Sequence, residues 1–160
     1  MREEVSFPSP VAAKLTGVTD GTLEHWTERA FLKPSVRERG RGGRKAPRLY
    51  SFRDLVAIRV VAQLRERGLD VRHLHGVVAY VRSREGLDLD RDFPPRRLLI
   101  TDGVQFVEVE KYADLDRPVT RRGAQGSQHP KVVPSVLLFV RFGELVTELQ
   151  REARALRAAA

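Results

Sequence analysis

Between Pro10 and Ala30 the chain carries two short helical patterns broken by one glycine, and this arrangement constrains the fold more than any other feature. Ser9 as N-cap and Pro10 at the first helical position predict a helix through Leu15, which Gly17 ends. Thr19 is placed to cap a second helix, Asp20 to Ala30, whose Leu23, Trp26 and Ala30 share one inward face at spacings of three and four. Two short helices joined by a tight glycine-containing turn are the layout of a helix-turn-helix. Lys33-Pro34 stops the second helix. Ser35–Pro47, rich in Gly, Pro and Arg, reads as a loop flanked by short strands at Phe31–Lys33 and Arg48–Tyr50.

Ser51, with Asp54 three residues on, predicts a capping-box-like start for a third helix, Phe52 to Arg67. Its apolar columns are Leu55, Ile58 and Ala62, and beside them Ala57, Val61 and Leu64; Gly68 stands just past its end. Asp70 caps a fourth helix with Val71, Leu74, Val78 and Val81 on one face. The expected fold class is mainly α, with residues 1–86 forming four helices and a small β wing around one core. Residues 87–96 are acid-rich, lack helical period and include Pro94-Pro95, so they read as a linker.

Residues 97–160 are expected to form a small α+β region for dimerisation or regulation. Leu98–Thr101 and Val104–Val109 flank Asp102-Gly103, a two-residue hairpin signal. Tyr112–Lys131 is polar and turn-rich and supports no regular assignment. Ser135–Ala159 is mostly helix-forming, and Leu138, Phe142, Leu145, Leu149 and Leu156 fall on a heptad seam. That seam is the candidate dimer contact, by pairing with its two-fold mate. The alternative is that the stripe folds back onto the hairpin as an ordinary core helix. Gly143 within it costs about 1 kcal/mol relative to Ala and is a candidate for the true helix start.

The charge is as unevenly distributed as the structure. The chain carries a net charge of +8, and all of it falls within residues 1–84; residues 85–160 balance at zero. Lys33, Arg37, Arg39, Arg41, Arg44, Lys45 and Arg48 stand in one block with Glu38 the single acid among them. Such density points to a polyanion. There is no Cys, which excludes disulfides, thiolate metal sites and cysteine nucleophiles. No apolar run approaches the roughly 18 residues of a membrane span, and the first residues lack the apolar core of a signal peptide. A soluble cytoplasmic protein without membrane partners is expected.

Catalytic motifs are lacking: there is no phosphate-binding loop, nucleophile elbow or zinc-protease pair. No enzymatic activity, cofactor or metal is expected. His73 and His75, two apart on a helix, would point in different directions. Asp88, Asp90 and Asp92 alternate like a calcium loop but lack its Gly and closing Glu, so they read as solvated.

Five ordered features, AAKLTGVTDGTLEHW, the FLKP exit, the basic loop, RLYS before a helix, and RDL…LRERGLDV, together resemble the DNA-binding domain of MerR-type transcriptional regulators. The resemblance covers about residues 7–84. It implies a winged helix-turn-helix whose second helix enters the major groove. The basic loop would form a first wing, and the third and fourth helices a second. It also implies a homodimer on near-palindromic sites in double-stranded DNA, with a variable C-terminal part that senses a ligand or partner. RNA polymerase or another protein is a further possible partner. An alternative is an antitoxin-like adaptor that represses its own operon and binds a partner through residues 97–160.

Within that frame Arg37, Arg39, Arg41, Arg44 and Lys45 are phosphate or minor-groove candidates, and a wing of this charge would contribute most of the sequence-independent affinity. Arg48 and Tyr50 match the strand after the wing and are expected on phosphates, with packing against Trp26 or the third helix as the alternative for Tyr50. Thr19 and Thr22, at the start of the second helix, are phosphate or base-edge candidates. Arg72 and His73 are backbone candidates in the second wing. LEHW stands where an Arg-Tyr pair is common, so Glu24 and His25 replace two backbone-contacting types. Glu24 is expected to pair with a wing Arg in preference to accepting from a cytosine amino group.

Overall fold

The computed structural model describes residues 5–37, 46–101, 106–110 and 138–160. The chain is mainly helical, and its architecture is organised around one helix, α3 (Phe52–Glu66). The reciprocal capping box expected at its start is present: the Ser51 hydroxyl accepts from the Asp54 amide and the Asp54 carboxylate from the Ser51 amide. Its end is equally regular. Gly68 takes up φ +93°, and the amides of Gly68 and Leu69 return to the carbonyls of Arg65 and Leu64. Between these stops α3 is buried on nearly every face, through Leu55, Val56, Ala57, Ile58, Val60, Val61 and Leu64. Two apolar columns describe too narrow a stripe, because α1 (Ser9–Thr16), α4 (His75–Ser83) and α5 (Phe142–Ala158) pack around it.

The helix-turn-helix consists of α1 and α2 (Asp20–Glu28). Helix α1 begins one residue earlier than expected. Pro8 occupies its cap position, and Ser9, inside the helix, donates its hydroxyl to the Asp20 carboxylate instead of capping. Gly17, at φ +74°, ends it as expected. Thr19 caps α2, accepting from the Thr22 amide at 3.1 Å. The helix stops two residues short of the expected end. Ala30 does not face inward; it is exposed, at φ +56°, and completes a left-handed stop in which the Phe31 amide returns to the Trp26 carbonyl and the Ala30 amide to that of Thr27.

That stop also removes the strand expected at Phe31–Lys33. The amides of Phe31 and Leu32 both bond to the Trp26 carbonyl, so the chain folds back on α2 there. The first sheet instead sets β3 (Arg48–Ser51) between β1 (Ser6–Pro8) and β2 (Val36–Arg37), with Phe7 opposite Tyr50 and Arg37 opposite Arg48. After α3, Asp70 does cap a helical turn, but a 3-10 turn over Val71–His73; α4 follows it as a separate helix.

The second sheet has the order β5-β4-β6, from β4 (Leu98–Thr101), β5 (Phe106–Val109) and β6 (Leu138–Val140). The hairpin strands pair antiparallel, Leu98 opposite Val109 and Thr101 opposite Phe106, and the turn expected at Asp102-Gly103 falls on 102–105. Those residues, and 111–137 with the unassigned polar segment, lie outside the described set. Leu138 stands on β6 opposite Thr101 and is not part of the terminal helix. A spacing of four cannot distinguish a helical seam from a strand that runs into a helix.

Helix α5 turns its apolar stripe inward. Phe142, Leu145 and Leu149 are buried and Leu156 partly so, in a core that runs without a break from Phe7 to Ala153. Segment 87–96 contributes Leu87, Leu89 and Phe93 to that core, while Asp88, Asp90 and Asp92 face outward. Gln150 donates to the carbonyls of Asp88 and Arg91, both at 2.6 Å, and Arg154 to that of Leu89 at 2.9 Å. The Gly143 amide donates to the Arg97 carbonyl at 2.9 Å. A Cβ on Gly143 would sit 2.5 Å from the carbonyl carbon and oxygen of Pro95, so the residue is needed for close approach.

Candidate nucleic-acid interface

Helix α2 is held from behind and open in front. Leu23 and Trp26 are buried; the Trp26 ring meets Phe31 edge-on at 5.5 Å and carries the Arg65 guanidinium 5.8 Å above it. Asp20, Gly21, Glu24, His25, Glu28 and Arg29 are exposed. At the N-terminal end the hydroxyls of Thr19 and Thr22 lie 2.9 Å apart. Thr19 is exposed and Thr22 half-buried, so the first turn offers a pre-ordered hydroxyl pair at a helix N-terminus, where anions are favoured.

Glu24 pairs with Arg48, Oε1 to Nη2 at 2.7 Å. Glu24 thus pairs with an Arg as expected, though not with an Arg of the wing itself but with one on the strand after the wing. Arg37 stands on β2 beside it. Arg39, Arg41, Arg44 and Lys45 lie outside the described residues. Tyr50 requires a correction. It is fully buried, with its hydroxyl 3.5 Å from that of Thr27, so it packs in the core and its side chain cannot reach a phosphate from there.

Arg72 and His73 are exposed on the 3-10 turn before α4. The Asp70 carboxylate accepts from the Arg72 amide at 2.9 Å and from its guanidinium at 2.6 and 2.9 Å. Those side-chain and backbone hydrogen bonds draw the Asp70 carboxyl down to about 2. Arg72 nevertheless keeps 82% of its side chain exposed.

Two polar clusters position these elements, and neither is legible in the sequence. Asp54, beyond its capping role, is fully buried and accepts from the Ser35 amide at 2.8 Å and the Ser35 hydroxyl at 2.6 Å, while Arg82 of α4 reaches its other oxygen at 2.7 Å. Arg82 also donates to the Lys33 carbonyl. The chain leaving α2 toward the wing is thereby tied to α3 and α4. The capping box signals Asp54, but Ser35 and Arg82 are too distant in sequence to be paired with it in advance.

The second cluster lies under the hairpin. Glu108 on β5 receives a two-pronged bond from Arg84, at 2.9 and 3.0 Å, a bond from the Tyr80 hydroxyl, and the charge of Arg97 at 3.6 Å. Burial works to raise the Glu108 carboxyl, but the hydrogen bonds from Arg84 and Tyr80 outweigh it and hold the group below its usual range. Tyr80 is pushed up, first by burial and then by its bond to Glu108. The second sheet is thus fastened to α4. Among the described residues no cluster of metal-ligating side chains occurs, and no helix is long and apolar enough to cross a membrane.

A short helix pair with a buried back and an open front, a strand pair carrying Arg37 and Arg48 beside it, and a helical turn displaying Arg72 and His73 define a helix-turn-helix DNA-binding domain. Residues 8–80 match the family of MerR HTH family regulatory proteins, and the chain carries a MerR-family helix-turn-helix domain over that span. Over 87 residues it is 30% identical to an uncharacterized HTH-type transcriptional regulator of Mycobacterium bovis, and equally to ones from two strains of Mycobacterium tuberculosis. The matched region is 54% of this chain and 38% of each of those proteins, so the chain matches well under half of their length.

Proposed function

We propose that the chain is a sequence-specific, double-stranded-DNA-binding transcriptional regulator of MerR type, acting in the cytoplasm as a homodimer and without catalytic activity. The observation that carries this reading is the exposed face of α2 beside the Arg48-bearing strand, on a helix whose other face is built into the core. Thr19, Thr22 and His25 present the first turns of α2 to the groove. Arg37, Arg39, Arg41, Arg44, Lys45 and Arg48 neutralise phosphates on one flank, and Arg72 and His73 do so on the other. Of the five seam residues, Leu138 and Leu156 are half-buried, and Phe142, Leu145 and Leu149 are buried within the chain.

Footprinting the purified chain on the DNA upstream of its own gene tests this. Two protected half-sites about one helical turn, ~34 Å, apart are expected, with two protomers per duplex. Binding that shows no preference over unrelated duplex removes the regulator reading.

A further inference from the structure

A carboxylate on the face of a helix that enters DNA is electrostatically unfavourable, since the duplex carries one negative charge per ~1.7 Å of axis. Glu24 occupies such a place on α2, with half of its side chain exposed. An exposed ion pair contributes little to folding, so stability does not account for a carboxylate there. What the Arg48 bond does is hold it. Arg48 stands at the start of the central strand of the first sheet, opposite Arg37 of β2, with fully buried Tyr50 two residues on. The guanidinium binds Oε1 through one nitrogen, and a carboxylate has about four acceptor sites. Acceptor capacity therefore remains toward solvent on a side chain whose position is already set.

In the major groove the cytosine amino group is the donor that suits a carboxylate, whereas guanine N7 and O6 and thymine O4 are acceptors and repel it. Adenine offers its amino donor beside the N7 acceptor, a pattern matched by an amide and not by a carboxylate. We propose that Glu24, positioned by Arg48, is a specificity-determining residue that accepts a hydrogen bond from a cytosine amino group in the operator. The inference rests on the reading of the chain as a sequence-specific DNA-binding protein. Where no amino donor is met, the carboxylate loses water against acceptors and phosphates, so Glu24 also lowers affinity for arbitrary duplex.

The test is site selection from a duplex pool with a randomised central stretch, using the full chain as wild type, Glu24→Gln and Glu24→Ala. Affinities are then measured on the selected duplex and its single-base variants, with the thermal midpoint of each protein as the folding control. Wild type is expected to enrich cytosine at one position per half-site, with about tenfold to a hundredfold discrimination there. Glu24→Gln moves that preference to adenine. Glu24→Ala loses it while neighbouring positions stay unchanged, and both variants bind unrelated duplex more tightly than wild type. Unchanged preference at every position in both variants overturns the proposal and leaves Glu24 as a strut for Arg48; so does a uniform loss of affinity across all sequences. A wild-type protein that enriches no sequence defeats sequence-specific binding itself, and that result appears before any variant is compared.

Discussion

Arg59, midway along α3, donates to the backbone carbonyl of Leu15 across 2.8 Å and so ties the central helix to the last turn of α1. The same guanidinium bonds Glu152 at 3.0 Å and lies 3.3 Å from Glu148, both on α5. One side chain therefore joins the helix-turn-helix to the C-terminal helix. Arg59→Ala leaves a half-buried carbonyl without its donor, and urea denaturation should show a loss of about 1–3 kcal/mol. The ion pairs with the half-exposed glutamates add little to that figure. Unchanged stability would mean that solvent replaces the guanidinium without cost.

Ala30 holds a left-handed conformation that glycine adopts freely, at a cost of about 1–2 kcal/mol to an L-residue. It is exposed, so removing its methyl group forfeits no packing. Ala30→Gly should raise stability by about 1 kcal/mol, partly offset by the larger entropy of the unfolded chain. A thermal melt that moves downward would show that Ala30 makes a contact outweighing its strain.

Gly143 behaves in the opposite way. Helix propensity alone favours Ala by about 1 kcal/mol, but the added Cβ meets the backbone of Pro94 and Pro95, which has little room to retreat. Gly143→Ala should destabilise by about 1–3 kcal/mol. A stabilised variant would show that segment 94–97 can move away from α5.

The Glu108 cluster makes stability pH-dependent at both ends. The folded Glu108 carboxyl titrates below its ordinary value of 4.5, so its contribution is present above that value and disappears as the pH falls through the folded one. Folded Tyr80 titrates above its ordinary 10.0, so its contribution is complete below about 10 and is lost as the pH climbs. Denaturation midpoints measured across pH should flatten on the acid limb in Glu108→Gln and on the alkaline limb in Tyr80→Phe. Identical profiles would separate the cluster from folding.

The basic wing should contribute charge and not sequence preference. Replacing Arg39, Arg41 and Arg44 together by Ala should weaken all duplexes alike and reduce the log–log salt slope by about 3, near one unit for each phosphate that is no longer neutralised. A preserved slope would remove these residues from the interface.

Much of the DNA-binding half was legible because its signals are local. The Ser51–Asp54 box, the Thr19 cap and the stops at Gly17 and Gly68 each involve partners within a few residues, and all four are where the sequence places them. That Glu24 pairs with an Arg was legible through charge, but the partner, Arg48, was not. Tyr50 was misplaced because an aromatic beside a basic loop fits a phosphate contact and a core position equally well. Strand β1, the strand position of Leu138 and the burial of Leu87, Leu89 and Phe93 depend on segments remote in sequence. Residues 38–45 and 102–105 lie outside the described set.

The amino-acid sequence by itself determined the Ser51–Asp54 box, the Thr19 cap, the stops at Gly17 and Gly68, where the charge lies, and that a helix-turn-helix is present. Caps, turns and net charge are satisfied or counted within a short stretch of chain. Only the tertiary structure decided that the α5 stripe is buried within the chain, that Asp54 and Arg82 hold the chain leaving α2, and that the acidic segment joins the core. Those outcomes require two distant segments to exclude water together, and whether they meet depends on the packing of the whole chain.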